Sequence, residues 1–135
     1  MHIIIVGGGK VGFDLATLLL AEGNKVLLIE KDEIKAAELA IEFGAVIQQG
    51  NGSCVRTLKD GEADRADVLV ALTGTDEANL VICQVAKSVF NCRKTIAGVN
   101  NPKNISIFSS LGIDVPVSTT RLISSLIQEQ VKGEK

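Results

Sequence analysis

One glycine cluster, one acidic residue and two later turns carry the recognisable chemistry of this chain. Gly7-Gly8-Gly9-Lys10-Val11-Gly12 spells G-x-G-x-x-G, with Gly7, Gly9 and Gly12 as its glycines. Alone, such a cluster often marks only a tight turn. Here it follows the β-branched run Ile3-Ile4-Ile5-Val6 and opens an amphipathic stretch, the strand-to-helix context of a dinucleotide-binding turn. Gly7 permits the turn, Gly9 lets a pyrophosphate approach the backbone, and Gly12 lets the helix pack close on the sheet. Free N–H groups at the helix start, with the helix dipole, then hold phosphate. Lys10 either adds charge at that point or is a solvated lysine of the first turn.

Glu30 closes the next apolar run, Val26-Leu27-Leu28-Ile29, roughly twenty residues beyond the glycines. A carboxylate there accepts hydrogen bonds from both hydroxyls of an adenosine ribose and repels a 2′-phosphate. NAD(H) or an adenine nucleotide is favoured over NADP(H), although neighbouring Lys31 weakens the exclusion slightly. The alternative is an exposed glutamate beside Lys31 and Asp32. Asn51-Gly52 and Thr73-Gly74-Thr75 follow the third and fourth apolar runs, where an open parallel sheet builds its ligand crevice. Asn51 is placed to read an adenine edge and Thr73-Gly74 to line a ribose. Asp76 reads as a helix cap, and Asn79, one turn further on, faces either way.

The elements that must position these groups alternate along the whole chain. Strands are expected at Ile3–Val6, Val26–Ile29, Ala45–Ile47, Val68–Leu72, Thr95–Val99 and Val115–Val117. Helical patterns fill the intervals. The first runs from Lys10 to Glu22 with Val11, Leu15, Leu18 and Leu19 on one face. The second follows Asp32 as N-cap, carries Ile34, Leu39, Ile41 and Phe43, and closes at Gly44. A short one ends near Gly61, and others span Glu77 to Phe90 and Pro102 to Leu111. The last runs from Thr119 to Val131. Continuous apolar strands joined by helices imply a parallel sheet covered on both faces. The expected fold is a single α/β domain over residues 1–135, a Rossmann-type doubly wound sheet of order 3-2-1-4-5-6.

Composition narrows the function. The 135 residues are 46% hydrophobic and 22% charged with only 2 Pro, which suits a compact core. With 14 basic against 16 acidic residues, 4 Phe and no Tyr or Trp, neither a field for phosphate backbones nor stacking platforms exist, so nucleic acid is a poor partner. No apolar run reaches the roughly 18 residues of a membrane span. The Met1-His2 start has no cationic leader and does not read as a signal peptide. Cys54, Cys83 and Cys92 lack ligand spacing and read as small buried residues in a reducing cytoplasm.

Beyond these physical features, the combination of Ile3 through Gly12, Leu28-Ile29-Glu30-Lys31-Asp32, Gln49-Gly50-Asn51-Gly52, the block Ala71 to Leu80 and Leu111-Gly112-Ile113-Asp114 resembles the TrkA-N domain. This domain, also called the KTN or RCK N-terminal domain, is the cytosolic regulator of prokaryotic potassium transporters and channels. The resemblance runs from Met1 to about Val131, and Thr73 to Leu80 is its most specific block. It implies a sensor that binds NAD(H), ATP, ADP or AMP, is cytoplasmic, and sits in a ring at the inner face of the membrane beneath a transporter or channel subunit. The family usually has Asp where Asn51 stands and often Arg where Gly98 stands, and a second ligand-binding module often follows.

The rival class is a small NAD-dependent oxidoreductase or a cofactor-binding subunit of one. With no tyrosine, the Tyr/Lys pair of short-chain dehydrogenases is impossible, and His2, before the first strand, lies at the end of the sheet opposite the crevice. A methyltransferase has only fold analogy behind it. The regulatory reading prevails. The stripe Leu122, Ile123, Leu126, Ile127 and Val131 on the last helix is expected to be buried mostly against the sheet, or against a second copy in a homodimer or larger ring.

Overall fold

The computed structural model describes residues 1–43 and 46–133. Six parallel strands, β1 (His2–Val6), β2 (Lys25–Glu30), β3 (Ile47–Gln49), β4 (Val68–Ala71), β5 (Lys94–Val99) and β6 (Val115–Ser118), form one sheet of order β3-β2-β1-β4-β5-β6. The helices are α1 (Lys10–Ala21), α2 (Glu33–Phe43), α3 (Val55–Asp60), α4 (Asp76–Ser88), α5 (Ile105–Ser110) and α6 (Thr119–Gly133). This is the doubly wound architecture expected from the alternation of patterns. The strand order reverses between β1 and β4, and that is where such folds open a crevice.

Both faces of the central strands are buried, which is why they are continuous apolar runs rather than alternating ones. Ile4, Val6 and Leu69 pack with Ile82, Cys83 and Ala86 of α4 on one side. Ile3, Ile5, Val26 and Leu28 pack with Ala16 and Leu39 on the other. Phe13 of α1 and Phe43 of α2 close that second side, their rings 4.7 Å apart.

The helix faces differ from the expected ones in an instructive way. On α1 the buried residues are Gly12 and Ala16, while Val11 and Leu18 are exposed. Small residues one turn apart bring the helix axis close to the sheet, and that approach rotates the larger residues beside them toward solvent. On α2, Ala36 and Leu39 are buried, whereas Ile34 and Ile41 are exposed. Asp32 does cap this helix, its carboxylate accepting from the Ile34 N–H at 3.0 Å.

The third strand begins at Ile47, two residues later than expected. Val46 precedes it, Gly50 N–H pairs with Glu30 O at 2.9 Å just after it, and Gly44 and Ala45 lie outside the described residues. The helix expected directly after Pro102 is a 3-10 turn, Pro102–Asn104, followed by α5. His2 is the first residue of β1 rather than a residue preceding it, still at the amino ends of the strands.

Two further expectations are corrected. The α6 stripe is not buried against the sheet: Leu122, Ile123, Leu126, Ile127 and Val131 are all exposed, and α6 has no buried residue. The helix leaves β6 at the sheet edge, beyond the reach of the core. Cys54 is exposed rather than buried, since it ends the loop before α3. Backbone N–H groups of Arg56 and Thr57 hold its thiol below the ordinary value. Cys83 and Cys92 are buried, and burial pushes the Cys83 thiol up to about 12.

Candidate functional site

A cleft of about 590 Å³ opens at the carboxyl ends of β1, β2 and β4. Val6, Ile29 and Leu72 form its floor; Gly7, Gly8 and Gly9, Glu30 and Lys31, Asn51, Gly52 and Ser53, and Thr73, Gly74 and Thr75 form its walls. Ten of the expected site residues therefore meet in one place. Three do not line it. Lys10 and Val11 face a shallower depression of about 700 Å³ between α1 and α2. Gly12 lies under the turn, where a Cβ would stand 2.0 Å from Gly7 O. Its role is to let α1 close on the turn.

The turn is held by specific bonds. Gly7 has φ +115° and its N–H donates to Ile29 O at 2.8 Å, so the chain turns sharply off β1 while remaining tied to β2. Glu30 is buried at 9% exposure, not an exposed neighbour of Lys31. Its Oε1 accepts from Gly8 N–H at 2.8 Å and its Oε2 from Asp32 N–H at 2.9 Å. Each carboxylate oxygen keeps further lone-pair capacity for a ligand hydroxyl. The Gly8 N–H is thus spent on Glu30, and the donors left for phosphate begin at Gly9 and the first turn of α1.

On the β3 side, Asn51 Oδ1 accepts from Ser53 N–H at 2.9 Å, an Asx turn. The acceptor end of this amide serves its own loop, and its NH2 is what Asn51 offers. Gly52 is required for packing: a Cβ there would meet Val6 Cγ1 at 2.4 Å. On the β4 side, Thr75 is the N-cap of α4, its hydroxyl accepting from Ala78 N–H at 3.3 Å.

Asp76 is consequently not the cap. Its carboxylate reaches across to the loop after β5 and accepts from Asn100 N–H at 2.6 Å, Asn101 N–H at 3.0 Å and Asn104 Nδ2 at 2.8 Å. Asn79 turns inward, fully buried, and bridges Thr73 to Gly98 of β5. Sequence patterning also missed Lys35, half-buried and lining both the cleft and the α1–α2 depression. Its place on the polar side of α2, one turn after the Asp32 cap, is the only signal for it.

Burial pushes the Asp76 carboxyl up, but the hydrogen bonds from Asn100, Asn101 and Asn104 outweigh it and hold it below the usual carboxylate range. A group depressed on folding stabilises the fold above its unfolded pKa and loses that contribution as pH falls through the folded value. The Asp76→Asn variant should lose about 2 kcal/mol at neutral pH, because a buried acceptor of several N–H groups is replaced by one that clashes with a donor. Its stability should also fall less steeply than wild type below about pH 4. Denaturant melts between pH 2 and 7 check both; parallel wild-type and variant acid limbs would show that Asp76 does not carry the effect.

A model of the TrkA-N domain family matches residues 3–119. The chain belongs to the TrkA-N domain family. It is 38% identical, over its whole length, to the Trk system potassium uptake protein TrkA homolog of Methanothermobacter thermautotrophicus, of which it spans 62%. The fold of this TrkA-N domain superposes on the crystal structure of the TrkA-N domain of inner membrane protein ybaL from Escherichia coli with TM-score 0.86 and 23% identity, covering 96% of this chain and 95% of that one. The GsuK channel bound to NAD is similar over 90% of this chain and 22% of its own, with TM-score 0.81 and 21% identity. Among the described residues no helix is long and apolar enough to cross a membrane.

Proposed function

We propose that this TrkA-N domain binds NAD(H) or an adenine nucleotide (ATP, ADP or AMP) in the β1–β2–β4 cleft and regulates potassium transport through a membrane partner. The observation that carries the reading is the buried Glu30 carboxylate. It stands at the end of β2, bonded to the glycine turn, beside an α1 amino end that supplies phosphate donors. The potassium-uptake relative and the NAD-bound channel support the two halves of the proposal. The domain works as a regulator rather than an enzyme, on the cytoplasmic side of the membrane and attached there through its partner. A nucleotide that binds one state of the assembly better shifts the population toward that state, and the transporter reciprocally alters nucleotide affinity. Useful coupling is about 1–3 kcal/mol.

Calorimetric titration of the chain with NAD+, NADH, ATP, ADP and AMP tests the ligand, with mass spectrometry of nucleotide released from purified protein as a second readout. One saturable site is expected. Absence of binding by every one of these ligands would remove the reading.

The exposed apolar stripe of α6 is covered, in this proposal, by another copy of the chain, giving a homodimer or a larger ring. Light scattering should show a mass of two copies or more at micromolar concentration. Ile127→Glu should shift the mass toward one copy with an unchanged circular-dichroism melt, because Ile127 is exposed on a helix with no buried residue. A wild-type mass of one copy at all concentrations would rule out self-assembly through α6.

A further inference from the structure

We infer that the cleft prefers a dinucleotide, with two riboses flanking a pyrophosphate, over a nucleoside di- or triphosphate, and that Asn79 sets this preference by fixing Thr73 as a hydrogen-bond acceptor. The inference rests on the nucleotide reading above and selects among its ligands. Asn79 is 1% exposed. Two backbone groups of unambiguous polarity fix its amide. The Thr73 N–H, which only donates, meets one end at 2.8 Å, and the Gly98 carbonyl, which only accepts, meets the other at 2.8 Å. The end facing Thr73 is therefore oxygen and the end facing Gly98 is NH2. The Thr73 hydroxyl lies 2.6 Å from that oxygen, against 3.3 Å from the Thr75 carbonyl, so its single proton goes to Asn79. Thr73 offers the cleft lone pairs only. A ligand hydroxyl donates to it; a phosphate oxygen meets it lone pair against lone pair.

The strand order turns this local fact into a pattern. β1 lies between β2 and β4, so the start of α1 is flanked by Glu30 on one side and Thr73 on the other. Glu30 is a carboxylate and accepts only. Between Glu30 and Thr73, in the cleft wall, the Gly9 N–H has no backbone acceptor among the described residues. Across the sheet the cleft therefore presents acceptor, donor, acceptor. Glu30 ends β2 and Thr73 lies just beyond β4, strands two spacings or about 10 Å apart, more than one ribose covers. A sugar hydroxyl, a pyrophosphate and a second sugar hydroxyl match that series. A nucleoside triphosphate anchored by its ribose at Glu30 sends its terminal phosphates toward Thr73 instead.

The test is calorimetry on the whole chain with NAD+, ADP and ATP. Wild type should bind NAD+ more tightly than ADP or ATP. In Thr73→Val, which keeps the shape and removes the oxygen, the NAD+-to-ADP affinity ratio should fall about five- to tenfold, the size of one hydrogen bond. Thr73→Ser should restore it. Asn79→Leu, which frees the Thr73 proton to turn toward the cleft, should lower the same ratio. If a thermal melt shows that Asn79→Leu is unfolded, the Thr73 pair decides. ADP or ATP binding at least as tightly as NAD+ to wild type, or a ratio unchanged in Thr73→Val, overturns the preference and leaves nucleotide binding standing. Failure of every nucleotide to bind wild type overturns both.

Discussion

Gly12→Ala should cost about 3 kcal/mol or more of stability, roughly a 10 °C loss in Tm for a domain of this size. The added Cβ would sit 2.0 Å from the carbonyl oxygen of Gly7. That carbonyl cannot swing away, because Gly7 is itself fixed. Its N–H is bonded to Ile29 O, its φ is +115°, and a Cβ there would press on Leu72 O at 2.5 Å. Relief would have to come from lifting α1 off the sheet, which opens space under Ala16. Gly9→Ala is the informative contrast. It caps α1 in an ordinary extended conformation, φ −71° and ψ −174°, and nothing lies within 4 Å of its added Cβ. Stability should change by less than about 1 kcal/mol. Nucleotide affinity should nevertheless fall at least about tenfold, because the methyl occupies the space a pyrophosphate needs. Chemical melts and calorimetry on the two variants separate the roles. Equal stability losses would mean that the two glycines do the same job.

Glu30→Ala should lower affinity for NAD+ or ADP about 100-fold, since two charge-assisted hydrogen bonds to ribose hydroxyls are lost together. Glu30→Gln should lose less, about tenfold, because one oxygen remains as an acceptor. Both variants should narrow the gap between NAD+ and NADP+, as the charge that repels a 2′-phosphate is gone. Glu30 is also structural. Without it the Gly8 and Asp32 N–H groups lose their partners, so a stability loss of about 1–2 kcal/mol should accompany the binding loss. Paired calorimetry and thermal melts resolve the two. Unchanged affinity in Glu30→Ala would take this residue out of the site.

The sheet was legible because a parallel strand buried on both faces must be apolar at every position, as Ile3-Ile4-Ile5-Val6 and Val26-Leu27-Leu28-Ile29 are. The glycine turn was legible because it stands between such a strand and an amphipathic helical pattern. Helix faces were less so. Counting large apolar residues put Val11, Leu18, Ile34 and Ile41 inside, whereas Gly12, Ala16 and Ala36 hold those places. Periodicity registers size and hydrophobicity, while burial depends on how near the helix axis comes to the sheet, and small residues set that distance.

The polar residues divide in the same way. By itself the sequence determined the strand-turn-helix with its glycine turn and the acidic residue that ends the next strand, because both are local to a few consecutive residues. Tertiary structure alone decided what Asp76 and Asn79 do. Asp76 looks like a cap next to Thr75, yet its partners are Asn100, Asn101 and Asn104, more than twenty residues away. Asn79, on α4, has its amide oriented by Thr73 and by Gly98 of β5. A hydrogen bond needs its two groups within about 3 Å, and for residues that far apart along the chain only the strand order brings them so close.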